Sequence, residues 1–279
     1  MIRDIFVPLL RQASDDSALD VALAMALAND AHISALVTLE HPMPVVTELG
    51  YVPLEMGQRQ LEDARAAAEF QAAHARARLA SEAVSSEVRV TEVMMLWSEE
   101  AAALKARHAD ISVLGGPDPT PATPRFSLTF NTLLLHSGRP VLVVPTGATL
   151  SVPPQKVVLA WTPTREATRA LHDALPLLSK ASEIDVLMID PQTGLAGHGQ
   201  EPGADIARHL ARHGLSVRVV AMPHSGLSDG ASLLRYVDEV DADLLVMGGY
   251  GHARWRQVVL GGATHAVLQG ARKPVFFAH

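Results

Sequence analysis

The stretch ADLLVMGGYGHARWRQVVLGGATHAVL, residues Ala242 to Leu268, decides the fold because its pattern changes twice. It begins with an uninterrupted apolar run ending at Met247, which is typical of a strand buried in a parallel sheet. Glycines then follow at Gly248, Gly251 and Gly261, and a helical pattern starts directly after the last of them. A strand, a glycine-rich connection and a helix in this order indicate a βα unit.

The apolar run occurs twice in the chain. ADISVLGG (Ala109–Gly116) parallels ADLLVMGG (Ala242–Gly249), and the two segments lie 133 positions apart. Pro140 and Pro274 begin similar closing segments, PVLVVP and PVFFAH. In each half an early apolar segment is also followed by an amphipathic helical stripe. The chain is therefore predicted to contain two copies of one domain.

A segment rich in proline, threonine, glycine and serine separates the two copies. It reads PTGATLSVPPQ and covers Pro145–Gln155. Such composition is typical of a linker. We predict a first domain at residues 1–146 and a second at residues 147–279, which agrees with the usual size of domains.

Short apolar runs alternate with helical patterns in each copy. In the second copy the runs are KVVLAW, IDVLMID, LSVRVVAM, DLLVMGG and KPVFFA, with helices expected near 164–180, 204–213, 228–240 and 262–270. This alternation predicts an α/β fold of two tandem, doubly wound, Rossmann-like parallel sheets, each five-stranded with helices on both faces. Ligands of such sheets bind beyond the carboxyl ends of the strands.

The glycines after Met247 have two interpretations. They can let the backbone approach a phosphate, which the N-terminus of the following helix would also attract. They can equally serve a tight turn and close packing of a helix against the sheet. The spacing is neither GxxxxGK[ST] nor GxGxxG, so two common phosphate motifs are excluded.

The spacing Gly248-x2-Gly251-x9-Gly261 after a fourth strand resembles the signature of the universal stress protein (UspA-like) family. KPVFFA is similar to the closing strand of that family, and the repeat is similar to its tandem form across essentially the whole chain. The resemblance implies a fold like that of the adenine nucleotide alpha hydrolases. It also implies ATP, with or without Mg²⁺, as a cofactor and a regulatory or stress-protective role.

The resemblance also implies a set of binding residues, with two departures from the family. Gly262 stands where the family has serine or threonine, so Thr264 becomes the candidate hydroxyl. Trp161 stands where the family has aspartate; its indole could stack on adenine or belong to the core. The resulting candidates for nucleotide binding are Trp161, Thr162, Met188, Gly248, Gly251, His252, Gly261, Gly262, Ala263 and Thr264.

The first half lacks the glycine pattern. Pro117, Pro119, Pro121 and Pro124 occupy the corresponding segment, and proline removes backbone donors. We therefore expect a nucleotide only in the second half. The alternative is a nucleotide-free scaffold or protein-interaction module, in which the glycines serve packing only.

Composition and charge limit the kinds of binding partner and activity that are expected. The net charge is −7 with no block of lysine and arginine, so nucleic acid is not expected. No apolar run is long enough for a membrane span, and the absence of cysteine fits a cytoplasmic protein. The 13 histidines form no HExxH motif, so no metal site is predicted. No catalytic motif is present, and at most slow ATP hydrolysis is expected.

The resemblance also makes a prediction about assembly. Tandem members of the family resemble an intramolecular pseudo-dimer, so the segments RPVLVVP and KPVFFAH should approach one another along their edges. A further association of two chains into a homodimer stays open.

Overall fold

The computed structural model describes residues 1–41, 46–47, 50–51, 54–94, 98–118, 124–194, 200–250 and 262–279. The strands are β1 (Asp4–Leu9), β2 (His32–His41), β3 (Val46–Thr47), β4 (Gly50–Tyr51), β5 (Ser86–Met94), β6 (Ile111–Gly115), β7 (Val141–Val144), β8 (Lys156–Ala160), β9 (Glu183–Ile189), β10 (Val217–Met222), β11 (Leu244–Gly248) and β12 (Val275–Ala278). The helices are α1 (Asp15–Asn29), α2 (Leu54–Leu79), α3 (Ser98–Ala106), α4 (Pro124–His136), α5 (Arg165–Leu178), α6 (Ala204–Arg212), α7 (Asp229–Glu239) and α8 (Gly262–Gly270).

Ten strands form one sheet in the order β10-β9-β8-β11-β12-β7-β6-β1-β2-β5, and β3 pairs with β4 separately. Each half supplies five consecutive strands of the large sheet, and all pairs within a half are parallel. The doubly wound α/β fold is thus confirmed. None of the helices in the described part of the chain is long and apolar enough to cross a membrane.

The two halves join through their closing strands. β12 pairs with β7 in the antiparallel sense, with Val275 opposite Val143 and Phe277 opposite Val141. The predicted approach of RPVLVVP and KPVFFAH along their edges is therefore confirmed. The two predicted sheets are continuous, because this pair of strands makes one sheet of ten.

Helices cover both faces of the sheet, which explains why its central strands are apolar at nearly every position. In β12, Phe276 packs in the core beneath α1, α2, α5 and α6, whereas Phe277 packs in the core on the opposite face. Both side chains are fully buried. A strand with two covered faces has no polar side, so its sequence does not alternate.

The start of α5 is fixed by its own sequence. Thr164 is the N-cap, and its hydroxyl accepts a hydrogen bond of 3.3 Å from the backbone N–H of Ala167. The buried stripe of the helix includes Ala167, Ala170, Leu171 and Ala174, as the periodicity predicts. This capping places the first turn of α5 at the carboxyl end of β8.

The core on the Phe277 face contains residues from both halves. The Phe277 ring packs edge to face against that of Phe130 in α4, with the ring centroids 5.1 Å apart. Both rings are at most 1% exposed. This contact connects the last strand of the chain to the last helix of the first half.

We expect Phe277→Ala to lower the free energy of unfolding by about 3–5 kcal/mol, because it leaves a cavity in this shared core. Urea unfolding followed by circular dichroism measures the change. The control is Phe70→Ala, since Phe70 is 78% exposed and its removal should change stability by less than about 0.5 kcal/mol. Equal effects of the two variants would contradict the shared core.

A buried carboxylate fixes the position of α7. Asp185 in β9 is 2% exposed, accepts a hydrogen bond of 2.8 Å from Arg218 Nε and another of 2.8 Å from the Tyr236 hydroxyl. Burial raises the pKa of Asp185, but the hydrogen bonds from Arg218 and Tyr236 outweigh it and hold the pKa below its ordinary value. Because Tyr236 belongs to α7, this network connects the helix to two strands.

A lowered pKa in the folded state means that the ionised carboxylate stabilises the fold above the pKa of the unfolded chain, near 4. That contribution is lost as the pH falls below this value. Asp185→Asn should therefore lower the urea midpoint at pH 7, and its difference from the original chain should shrink at about pH 3. Asp205→Asn, at a carboxylate 85% exposed, should do neither. A difference independent of pH would refute this role of the ionised form.

Candidate functional site

A cavity of about 190 Å³ lies at the carboxyl ends of the second-half strands. Its described walls come from the ends of β8, β9 and β11 and from the first turns of α5, α7 and α8. This is the location at which doubly wound sheets bind their ligands. Six of the predicted residues line it: Trp161, Thr162, Gly248, Gly262, Ala263 and Thr264.

The N-terminus of α8 faces this cavity through Gly262, Ala263 and Thr264. The first backbone N–H groups of a helix have no acceptor within the helix, and the helix dipole makes this end positive. The Thr264 hydroxyl accepts a hydrogen bond of 3.3 Å from the Tyr250 N–H, and within the described part of the chain it donates none. This end of the cavity therefore presents donors suited to an anion.

Trp161 and Thr162 form the opposite wall, directly after β8. The backbone N–H of Trp161 donates to the Leu187 carbonyl at 2.8 Å, which extends the pairing of β8 with β9 by one residue. The Trp161 side chain is partly buried and packs against the core as well as lining the cavity. Trp161 thus packs against the core, as one of the two interpretations has it, and also reaches the cavity; its stacking on adenine stays a prediction.

Two carboxylates that the sequence analysis did not select also line the cavity. Glu166 lies in the first turn of α5, and Asp229 is the first residue of α7. Acidic residues in a first turn are ordinarily explained by the helix dipole, so their sequence gives no separate signal of a binding role. No lysine or arginine is among the described residues of the lining.

The two interpretations of the glycines apply to different positions. A Cβ at Gly248 would lie 2.6 Å from the backbone nitrogen of Ala167, so this glycine lets β11 pass close to α5. A Cβ at Gly262 would have no atom of the described residues within 4 Å. Gly248 is therefore required by packing, whereas packing does not require Gly262.

Tyr250 connects the cavity to the first half of the chain. It lines the cavity, and its hydroxyl donates a hydrogen bond to Asn131 Oδ1 in α4. Its backbone is left-handed, with φ of 60°, and burial raises the pKa of its hydroxyl well above the usual range. The protonated hydroxyl can therefore act as the donor in this contact.

The remaining predicted residues are not seen at the cavity. Met188 is fully buried, and its methyl group lies near Gly203 and Val219, whereas its neighbours Leu187 and Ile189 line the cavity. Successive residues of a strand point to opposite faces, so the Met188 side chain belongs to the other side of the sheet. Gly251, His252 and Gly261 lie outside the described residues.

The corresponding position in the first half is nearly filled. Its cavity measures about 10 Å³ and is lined by the ends of β1 and β2 and by α3 and α4. Arg125 in α4 occupies this end of the sheet, where its Nη2 donates to Thr38 Oγ1 at 2.7 Å and pairs with Glu40 at 2.8 Å. The two halves share a fold but differ in the space they leave at the strand ends.

We expect Gly248→Ala to destabilise the chain by about 1–3 kcal/mol, because the added Cβ would force β11 and α5 apart. Gly262→Ala is the matched control and should leave stability unchanged or raise it by up to about 1 kcal/mol. Thermal and urea unfolding measure both. Similar losses in the two variants would show that Gly262 also serves packing.

Fold and cavity together define the chain as a doubly wound α/β protein, with a cavity at the strand ends of its second half where proteins of this fold class bind ligands. Residues 154–279 match the model of the universal stress protein family. The match covers the second half of the chain, and the whole chain shares its tandem two-domain fold with a solved universal stress protein.

Solved structures support this assignment at the level of the fold. A universal stress protein from Archaeoglobus fulgidus matches with a TM-score of 0.70 and 16% identity, covering 99% of this chain and 95% of that one. A functionally unknown protein from Pseudomonas aeruginosa matches with a TM-score of 0.59 and 14% identity, covering 99% and 92%. A search of curated proteins gave no match.

Proposed function

We propose that the second half binds ATP or a related adenine nucleotide at the strand-end cavity, as a regulatory cofactor of a stress-protective protein. The observation that carries the proposal is the N-terminus of α8, which faces a cavity whose other wall holds an indole and two threonines. The location at the carboxyl ends of parallel strands agrees with this. The stress-response role and a cytoplasmic location rest on the family resemblance.

Phosphate groups would lie against the first turn of α8. Gly262 is exposed and leaves open space, so a phosphate oxygen can approach its backbone N–H without a side chain in the way. The N–H groups of Ala263 and Thr264 and the Thr264 hydroxyl add donors on the same side. Donors from a helix terminus suit an anion even without a lysine or arginine.

The base and sugar would lie toward β8 and β9. Trp161 offers a π-face for stacking, and Leu187 and Ile189 offer apolar contact. Thr162 and Thr164 provide hydroxyls for the sugar, and their oxygens lie 3.5 Å apart. These groups supply part of what the aspartate of the family supplies, since a hydroxyl can accept as well as donate.

The two carboxylates of the cavity favour binding of the nucleotide together with Mg²⁺. Glu166 and Asp229 would repel a free triphosphate, and carboxylate oxygens are ligands that Mg²⁺ accepts. The donor set therefore fits MgATP better than free ATP. Bound Mg²⁺ would neutralise part of the phosphate charge beside these groups.

A second candidate function is a nucleotide-free scaffold or protein-interaction module. The observation in its favour is Gly248, whose absence of a side chain is fully explained by the contact with α5. Gly249 is similar, because a Cβ there would lie 2.6 Å from Leu134 of the first half. In this case the glycine spacing would reflect packing of β11 against α5 and of the residue after β11 against the first half.

We further propose the boundary between residues 146 and 147 as the division of the chain into two domains, and the joined halves as an intramolecular pseudo-dimer. The antiparallel pair of β7 and β12 supports this proposal. The nearly filled cavity of the first half supports a single nucleotide per chain.

The test is a binding measurement with MgATP. If the native state binds it, the unfolding midpoint must rise by mass action, with about 2.7 kcal/mol of stabilisation at 100 times the dissociation constant. Isothermal titration should give one nucleotide per chain. GTP at the same concentration controls for recognition of the base, and ATP without Mg²⁺ tests the contribution of the metal.

The variants Gly262→Glu and Gly262→Ala separate binding from folding. The space at Gly262 accommodates either side chain, and a glutamate at a helix N-terminus is stabilising. Its charge opposes a phosphate, so Gly262→Glu should weaken MgATP binding at least about tenfold, whereas Gly262→Ala should keep it. No midpoint shift with any adenine nucleotide would reject the proposal and leave the scaffold as the function.

A further inference from the structure

A second cavity lies in the first half of the chain, on the face of the sheet that α1 and α2 cover. It measures about 440 Å³, against about 190 Å³ for the strand-end cavity of the second half. The end of β1, the turn into α1, the first turns of α1 and residues 67–75 of α2 line it. Leu9 is the one described residue that it shares with the strand-end cavity of the first half. A volume of this size is typical of pockets for small molecules.

The length of α2 creates this cavity. α2 runs beside α1 in the same direction, since Gln71 Nε2 donates to Asp15 Oδ2 at 2.9 Å and Arg78 Nε donates to Asp20 Oδ1 at 2.7 Å. Asp15 is the first residue of α1, so the part of α2 that precedes Gln71 continues past the start of α1. α2 has 26 residues, whereas α6, which follows the second strand of the second half, has 9. The extension of α2 is therefore particular to the first half.

The walls of the cavity are largely apolar. Leu9, Leu19 and Ala75 line it and belong to the buried core behind it. Phe70 also lines it, although this residue is 78% exposed. A ligand in the cavity would cover Phe70 and contact the buried leucines, and removing such surface from water is favourable. The walls therefore favour a ligand with a flat, apolar body.

The two carboxylates of the lining already have partners. Asp15 accepts hydrogen bonds from the backbone N–H groups of residues 10–12 and from the side chain of Gln71. Asp16 Oδ1 is hydrogen-bonded to His74 Nε2 at 2.8 Å. Because these contacts compensate both carboxylates, neither requires a cation from a ligand.

Arg11 supplies a charge that the lining does not compensate. Among the described residues Arg11 takes part in no ion pair, and Glu40 pairs with Arg125 instead, at 2.8 Å. Burial lowers the pKa of Arg11, the like charge of Arg125 lowers it further, and Glu40 offsets only part of this. An anionic group on a ligand would therefore be attracted to Arg11 and would form a charge-assisted hydrogen bond with it.

Gln71 supplies an acceptor without a donor. Its Oε1 is buried and has no hydrogen-bond partner among the described residues. Its Nε2 is held by Asp15, so Oε1 is the end of the amide that stays unpaired. A buried acceptor left unpaired costs free energy, and an N–H group carried by a ligand would satisfy it.

We propose that the cavity between α1 and α2 binds an amphipathic aromatic anion, a flat apolar ring system that carries one acidic group and an N–H donor. The rings would lie against Phe70 and the buried leucines, the acidic group would lie toward Arg11, and the N–H group would lie toward Gln71. This site is independent of the proposed nucleotide site, because the two cavities share no described residue.

The test uses two probes that differ only in charge. Anilinonaphthalene sulfonate has aromatic rings, an N–H group and a sulfonate, and phenylnaphthylamine is the same molecule without the sulfonate. Fluorescence titration of the full chain measures both. We expect the chain to bind the sulfonate probe at least about tenfold more tightly than the neutral probe, because only the sulfonate pairs with Arg11.

A matched pair of variants locates the binding site. Ala67 and Ala73 are both exposed alanines of α2, but only Ala67 lines the cavity. Ala67→Trp should fill the cavity and weaken binding of the sulfonate probe at least about tenfold, whereas Ala73→Trp should bind like the original chain. Equal affinities of these two variants would overturn the proposal, because the probe would then bind elsewhere, for example in the strand-end cavity of the second half.

Two further variants separate the apolar contact from the charge. Phe70→Ala should weaken binding of both probes at least about tenfold. Arg11→Asn should weaken only the sulfonate probe, and asparagine readily adopts the left-handed backbone of this position, where φ is 61°. Both residues are exposed, so the urea midpoint should stay unchanged in each variant. Equal binding of the two probes by the original chain, or an equal loss of both in Arg11→Asn, would also overturn the proposal.

Discussion

The antiparallel pairing of β7 with β12 is the constraint on which the rest of the structure depends. Each half alone would end its sheet with an open edge of unpaired backbone groups, and such edges invite further pairing. Joining the two closing strands satisfies both edges at once. Because β12 lies beside β11, the same pairing holds the start of the glycine segment against the first half. The contacts of Tyr250 with Asn131 and of Gly249 with Leu134 follow from it.

Much of this fold could be predicted from the sequence, because the signals were local. Continuous apolar runs gave the strands, and α8 begins and ends where its pattern predicts, at Gly262 and Gly270. The site was less predictable for a physical reason. In the LMI segment of β9 all three residues are apolar, so nothing in the sequence tells which of Leu187, Met188 and Ile189 faces the cavity. Which of these side chains faces the cavity is known only once the position of the strand in the sheet is known, because both faces of the sheet are covered by helices and are apolar.

The function of a glycine is also hard to predict from the sequence. A glycine that admits a ligand and a glycine that admits a helix have the same sequence signal, since both lack a Cβ. Gly248 and Gly262 differ in what surrounds them: a Cβ at Gly248 would lie 2.6 Å from a backbone nitrogen, whereas a Cβ at Gly262 would have no described atom within 4 Å. Glu166 and Asp229 were missed for a related reason, because an acidic first turn already has an explanation in the helix dipole.

Arg125 helps to fill the strand-end cavity of the first half, which the absence of the glycine pattern alone would not do. Its guanidinium forms an ion pair with Glu40 and donates a hydrogen bond to Thr38, and both of these residues belong to the carboxyl-terminal half of β2. The space at the strand ends is thus nearly filled in the first half by a side chain of the protein itself, whereas it is open in the second half. Two copies of one fold in a single sheet can therefore differ in whether they leave room for a ligand.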